Sequence, residues 1–272
     1  RSIKPYIDEE GCLRSKDKTI LGADNKSAVA SLLHLIERII RTKYKVHPLE
    51  IVFTTSEETG NHGAHGLDYS QFSAKRGFCS DASNRSFGDL IIASPYYNRF
   101  DIVFQGKSAH ASQPDLANNV TRSVGTFLST VNTGWIDEKT LANVGIVNMG
   151  QVVNTIPGSV TVSGEVRSYE EKLLENTTED IKQNAKDSCE EKISVQIDVT
   201  RENGGFELEE THEFVRSTLE VIKSYNKSPK LIRSLGCYDA NVFAEHGITL
   251  LNIADGSQDS HTSDERIHID NL

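Results

Sequence analysis

Apolar residues recur at helical spacing from Ser27 onward, through Ala28, Val29, Leu32, Leu33, Leu35, Ile36, Ile39 and Ile40, and predict a buried amphipathic helix. The apolar, β-branched run Leu49-Glu50-Ile51-Val52-Phe53 predicts a buried strand. Just past it, in Thr54-Thr55-Ser56-Glu57-Glu58-Thr59-Gly60, stand two adjacent carboxylates. Neighbouring side chains of an extended segment point to opposite sides, so Glu57 and Glu58 can take different tasks. The glycine-punctuated stretch 60–66 predicts a loop entering a short helix. Next, Gly77-Phe78-Cys79-Ser80-Asp81 predicts a short strand with an acid at its carboxyl end, the edge where open α/β sheets place their chemistry.

From about residue 96 the texture changes. Strands over 99–105, 143–151, 159–167 and 192–201 and helices over 118–133 and 170–190 follow in the order β-α-β-β-α-β, the split βαβ arrangement of a small two-layer domain. Helix 209–225, strand 231–235, helix 239–246 and strand 249–253 then resume the larger unit. The expected fold is α/β: a domain of residues 1–94 and 207–272, with a mixed sheet and helices on both faces, interrupted by an inserted ferredoxin-like domain over 95–206.

Composition narrows the classes. Hydrophobic content of 37% and charged content of 25% describe an ordinary globular protein, and no apolar stretch approaches the ~20 residues that cross a bilayer. A net charge of −10 argues against nucleic acid as a partner. The four cysteines, Cys12, Cys79, Cys189 and Cys237, are scattered without a Cys-x-x-Cys spacing, as reduced thiols of a cytoplasmic protein would be.

Several polar residues fall at candidate positions. Asp24 lies at the mouth of the first helix, where it fits an N-cap and a metal ligand equally. His62 and His65, beside glycines on a loop, read as solvent-facing rather than as ligands. His261 follows strand 249–253 through a short polar loop and is a candidate nitrogen ligand. Asp24, Glu58, Asp81 and His261, gathered at one sheet edge, would form an oxygen-rich site with some imidazole, suited to zinc, manganese or cobalt. Two divalent ions ~3.5–4 Å apart would share a bridging carboxylate, bind a hydroxide and polarise a carbonyl, leaving the remaining glutamate as base and acid.

The strings Leu21-Gly22-Ala23-Asp24-Asn25-Lys26, Ser56-Glu57-Glu58-Thr59-Gly60, Ser80-Asp81 and Ser260-His261-Thr262 resemble, in this order, the motifs of the dinuclear zinc peptidases related to aminoacylase, carboxypeptidase G and peptidase T. Ile3-Lys4-Pro5, Gly106-Lys107-Ser108-Ala109-His110-Ala111 and Asp239-Ala240-Asn241-Val242-Phe243 are similar to the peptidase T-like branch. The resemblance implies two divalent ions per subunit, zinc first, with manganese or cobalt as alternatives. Asp24 would bridge them, Glu58 and His261 would complete one, Asp81 would serve the other, and Glu57 would be the general base. It further implies that the inserted domain pairs two subunits, that His110 reaches the partner's site to polarise the substrate carbonyl, and that Asn154 and Arg167 hold a substrate carboxylate. From the residues alone, Arg167 is equally a surface ion-pair partner, and Asn154 a turn residue before Thr155-Ile156-Pro157.

The family's first motif, a histidine, any residue and an aspartate, is absent upstream of Ile3, so the chain is expected to be a fragment with its second metal site incomplete. The implied activity is hydrolysis of the amino-terminal bond of short peptides. The alternatives are an N-acyl-amino-acid deacylase or dipeptidase on the same scaffold, a catalytically inactive peptide-binding relative, or a ferredoxin-like interaction module with a passive partner domain.

Overall fold

The structure, a computed structural model, describes residues 2–225 and 227–272; residue 1, where the first expected domain begins, and residue 226 lie outside them. It divides into one unit formed by Arg1–Ser94 with Phe206–Leu272 and a second formed by Pro95–Gly205.

The first limb opens with β1 (Pro5–Ile7) and β2 (Cys12–Ser15), an antiparallel pair. Helix α1 (Ala23–Thr42) follows, with non-helical dihedrals at Asp24 and Asn25. The expected burial of this helix is not observed. Ala23, Ser27 and Ala28 are buried, whereas Val29, Leu33, Leu35 and Ile40 are 39–71% exposed. Periodicity decides that a segment can be an amphipathic helix; burial needs a second layer, which the described residues do not supply along this stripe.

The strand expected over 49–53 is also absent: residues 44–54 have no regular structure. A strand exists through its ladder, and this segment is held instead by side-chain contacts. The Glu50 carboxylate accepts from Ser73 N–H at 2.9 Å and Ala74 N–H at 3.1 Å. A 3-10 turn (Glu57–Thr59) and α2 (His62–His65) come next, then β3 (Arg76–Cys79) and β4 (Leu90–Ser94). Strand β4 is buried throughout.

The second unit contains β5 (Tyr96–Gln105), β6 (Ala109–His110), α3 (Thr121–Thr130), β7 (Gly134–Trp135), β8 (Thr140–Met149), β9 (Thr155–Ile156), β10 (Ser159–Ser168), α4 (Glu171–Asp187) and β11 (Ser194–Asn203). Among the described residues its main sheet has the order β11-β5-β10-β8-β7, antiparallel at every pairing. Alternation places Phe100, Ile102 and Phe104 of β5 beside Val160 and Val162 of β10 on one face, where Val124 and Phe127 of α3 and Leu174 and Ile181 of α4 close the core. Gly164 marks the bulge between β10 and β8. A Cβ there would stand 2.2 Å from both Asn143 O and the Phe100 ring.

The chain then returns to the first unit with β12 (Phe206–Glu207), α5 (Glu213–Ser224), β13 (Leu231–Arg233), α6 (Asp239–Glu245), β14 (Thr249–Ile253) and β15 (Ile267–His268). Its sheet is mixed: β14 runs parallel to β3 and antiparallel to β4, and β13 runs parallel to β4. Leu90, Ile92, Leu251, Phe214 and Val215 form a core between this sheet and α5. Because β3 and β14 are parallel neighbours with Asn252 opposite Cys79, they exit at the same edge.

Candidate active site

That shared exit leads to Asp81 and toward His261. After β3 the chain turns at Ser80 and Asp81. The buried Asn252 side chain grips this turn, its Oδ1 accepting from Asp81 N–H at 2.9 Å and its Nδ2 donating to Asp81 O at 3.2 Å. After β14 the chain loops to His261, passing through left-handed dihedrals at Asp259 (φ 56) and His261 (φ 66). Such conformations in non-glycine residues are uncommon and persist where surrounding structure holds them.

Three of the expected ligands meet. His261 Nε2 lies 2.7 Å from Glu58 Oε1 and 3.3 Å from Asp24 Oδ2, and one ligand atom from each of the three fits within a 4.8 Å span. Asp24 is not an N-cap: Gly22 holds that position and no side chain caps the helix. Asp81 joins from the other side through Asn25, whose Nδ2 donates to Asp81 Oδ1 at 2.9 Å and to Ser80 O at 2.6 Å. His62 and His65 are exposed on α2 and take no part in the cluster.

The Glu57 side chain meets partners other than those of Glu58, and the backbone here is a 3-10 turn after a left-handed Ser56 (φ 58) rather than the extended segment that alternation supposed. Its Oε1 lies 3.3 Å from Asn61 Nδ2, which also donates to Asp239 Oδ1 at 2.9 Å. Thr54 Oγ1 donates to the other oxygen of Asp239. Asn61 and Asp239 are buried. The spacing of the sequence gives them no catalytic mark, because the contact joins α2 to the start of α6 across a long separation. A cavity of about 400 Å³, within the usual range of ligand sites, opens over Asp24, Glu57, Glu58, Asp81 and Asp239.

The electrostatics follow from packing acids together. Burial, then the Glu58 and Asp239 charges, push the Glu57 carboxyl up to about 7. Burial, then Glu57, Asp24 and Asp239, push Asp81 up to about 8 against the opposing Asn25 hydrogen bond. Asp24 is raised as well, chiefly by burial and with Glu58 and Asp255 adding to it, while Ser83 and His261 oppose. Bound cations in such a cluster would reverse these shifts.

The three residues expected to bind substrate belong to the second unit, and the structure brings two of them together there. His110 stands opposite Thr155 in the β6–β9 pair, and Ala111 N–H donates to Asn154 O at 2.9 Å. The exposed His110 ring holds Ser112 Oγ at 2.7 Å from Nδ1. Arg167 lies near the far end of β10, roughly 30 Å from Gly158 at a rise of about 3.3 Å per residue. Its guanidinium donates to the Glu165 carboxylate from Nε at 3.1 Å and Nη2 at 3.0 Å, and stacks 4.5 Å from the Tyr97 ring centre.

A sequence profile of Peptidase family M20/M25/M40 matches residues 15–272. The chain is 28% identical over 274 residues to the uncharacterized protein YqjE of Bacillus subtilis (strain 168), covering 99% of this chain and 73% of that one. Two solved structures are similar over 99% of this chain and 72% of their own. They are aminopeptidase PepT from Bacillus cereus ATCC 10987, at 28% identity and a TM-score of 0.89, and a tripeptidase from Staphylococcus aureus subsp. aureus mu50, at 26% identity and a TM-score of 0.92. The chain spans between 60% and 73% of the length of the curated relatives it matches.

Proposed function

The chain belongs to peptidase family M20/M25/M40, and we propose that it hydrolyses the amino-terminal bond of short, unblocked peptides, using divalent ions held by Asp24, Glu58, Asp81 and His261 with Glu57 as general base. The observation that carries this reading is the meeting of Asp24, Glu58 and His261 from three separate stretches of chain. The donors fit a metal. Ligand atoms at about 2.0–2.2 Å from a tetrahedral ion stand roughly 3.3–3.6 Å apart; His261 Nε2 and Asp24 Oδ2 are already 3.3 Å apart, whereas His261 Nε2 and Glu58 Oε1, at the hydrogen-bond distance of 2.7 Å, would have to open to admit an ion. Carboxylates with one imidazole suit zinc, with manganese or cobalt as alternatives. When bound, such ions supply an acidified water and polarise the scissile carbonyl.

Glu57 does the proton work in this proposal. Half-buried beside the ligand cluster, it takes a proton from the attacking water and passes it to the departing amine. Asn61, backed by Asp239, holds one of its oxygens and leaves the other for the water. The similarity to an aminopeptidase and a tripeptidase supports a small peptide as substrate. His110, Asn154 and Arg167 are proposed to contact it; Arg167 would have to exchange Glu165 for the substrate carboxylate. Pairing of two subunits through residues 95–206 and a cytoplasmic setting belong to the same proposal.

Three compounds assayed side by side with zinc, manganese or cobalt test it: an unblocked tripeptide, its N-acetylated form, and an N-acetyl amino acid. Preference for the unblocked tripeptide is expected. Faster cleavage of either acetylated compound would replace the aminopeptidase by a deacylase.

A further inference from the structure

Glu265 has no part in the chemistry described above, yet it is one of the largest fully buried side chains, 1% exposed. Among the described residues its carboxylate meets two backbone amides of the Asp24 turn. Oε2 accepts from Gly22 N–H at 2.5 Å and Oε1 from Asp24 N–H at 2.9 Å. Keeping a carboxylate away from water without a cation is costly, and a turn as such needs no charge to close it. The turn is irregular: Gly22 is left-handed (φ 74, ψ 32), and Asp24 (φ −77, ψ 103) departs from the helix it begins. At the other end of the connection, Glu265 closes the short loop that carries His261, its own N–H donating to Thr262 O.

We propose that Glu265 is a positioning residue for the metal site, an inference that rests on the metallopeptidase reading. By gripping the backbone on both sides of Ala23, it ties the Asp24 turn to the His261 loop, so that Asp24 Oδ2 and His261 Nε2 stand at ligand separation before any ion arrives. Outer partners that orient metal ligands typically change affinity 10–100-fold when removed. Glu265→Gln retains the size but sets an amide NH2 against one of the two backbone donors. Glu265→Asp keeps the charge and shortens the reach, so it can grip at most one amide well. Ser27→Ala is the control. It removes a buried hydroxyl from the same helix start, where Ser27 Oγ bonds Asp255 at 2.7 Å and Ala23 O at 2.8 Å, and leaves the Gly22 and Asp24 N–H groups with their Glu265 acceptors.

Zinc affinity of the full chain is measured by competition with a chromophoric chelator, and thermal unfolding is followed without metal. Glu265→Gln and Glu265→Asp are expected to bind zinc at least 10-fold more weakly than wild type, whereas Ser27→Ala lowers the metal-free melting temperature but keeps zinc affinity within about threefold. If wild type binds zinc and a folded Glu265 variant binds it equally well, the positioning role is wrong and the metallopeptidase reading stands. If wild type binds no zinc, both fall. Should Glu265→Gln not fold, Glu265→Asp decides by the same criterion.

Discussion

In the unit formed by Pro95–Gly205 the buried side chains hold each other. Phe100, Ile102, Phe104, Phe127, Val162 and Leu174 interdigitate, and no acid is buried there among the described residues. The other unit buries Asp89, Asp239, Asp255 and Glu265 and crowds Asp24, Glu57 and Asp81 beside them. One interior gains free energy by excluding water from hydrocarbon; the other gives some of it up to keep carboxylates close together. The difference teaches where to look for function: charge that a fold retains at a cost is the more informative signal.

The comparison breaks first at Glu57. Glu57→Gln keeps the shape and removes the base, so turnover of the best peptide should fall by ~10²–10⁴-fold. Steady-state kinetics at saturating metal would show this, and a variant within threefold of wild type would remove Glu57 from the chemistry. In the apolar unit, Phe104→Ala should cost ~3–5 kcal/mol by cavity formation, measured by denaturant unfolding, with zinc affinity of the folded fraction unchanged. A loss of zinc affinity in that folded fraction would show that the two interiors are not independent.

A smaller effect is the pH dependence of the metal-free chain. The folded values of Glu57 (about 7) and Asp81 (about 8) lie above the ordinary 4.5 and 3.8. Stability contributed by their protonated forms is therefore complete below about pH 4 and is lost as pH rises through 7 and 8. Melting temperature without metal should fall between about pH 5 and pH 8, and saturating zinc should reverse the slope because ligation needs deprotonated acids. A metal-free melting temperature that climbs over this range would contradict the crowding of acids.

Legibility in the sequence followed the same division. Alternation and length made the strand expected over 159–167 readable as β10, Ser159–Ser168, and a short apolar run made that over 249–253 readable as β14. Local periodicity is what long half-buried strands display. Strand β4, five consecutive buried residues, is a continuous apolar run of the kind that periodicity alone does not distinguish from a buried helix segment. The run 49–53 misled because apolar β-branched composition shows an aptitude for pairing, not the presence of a partner. At the site, the residues with motif-like company, Asp24, Glu58 and His261, could be named, and the structure brings them together. Asn61, Asn252 and Glu265 could not, since each acts through a contact with a distant part of the chain, and the string that opens at Asp239 did not show the bond of Asp239 to Asn61. Arg167 was half legible: residues two apart on a strand share a face, so Glu165 was always its nearest rival for a substrate carboxylate.

The central claim is that Asp24, Glu58 and His261 hold a divalent ion beside Glu57, and zinc titration of wild type, Glu58→Gln and Glu57→Gln tests it most directly. Wild type and Glu57→Gln should bind zinc with the same stoichiometry, and Glu58→Gln should bind at least one ion fewer or far more weakly. Retention of zinc in Glu58→Gln with loss in Glu57→Gln would interchange the two roles, and no zinc in wild type would contradict the account.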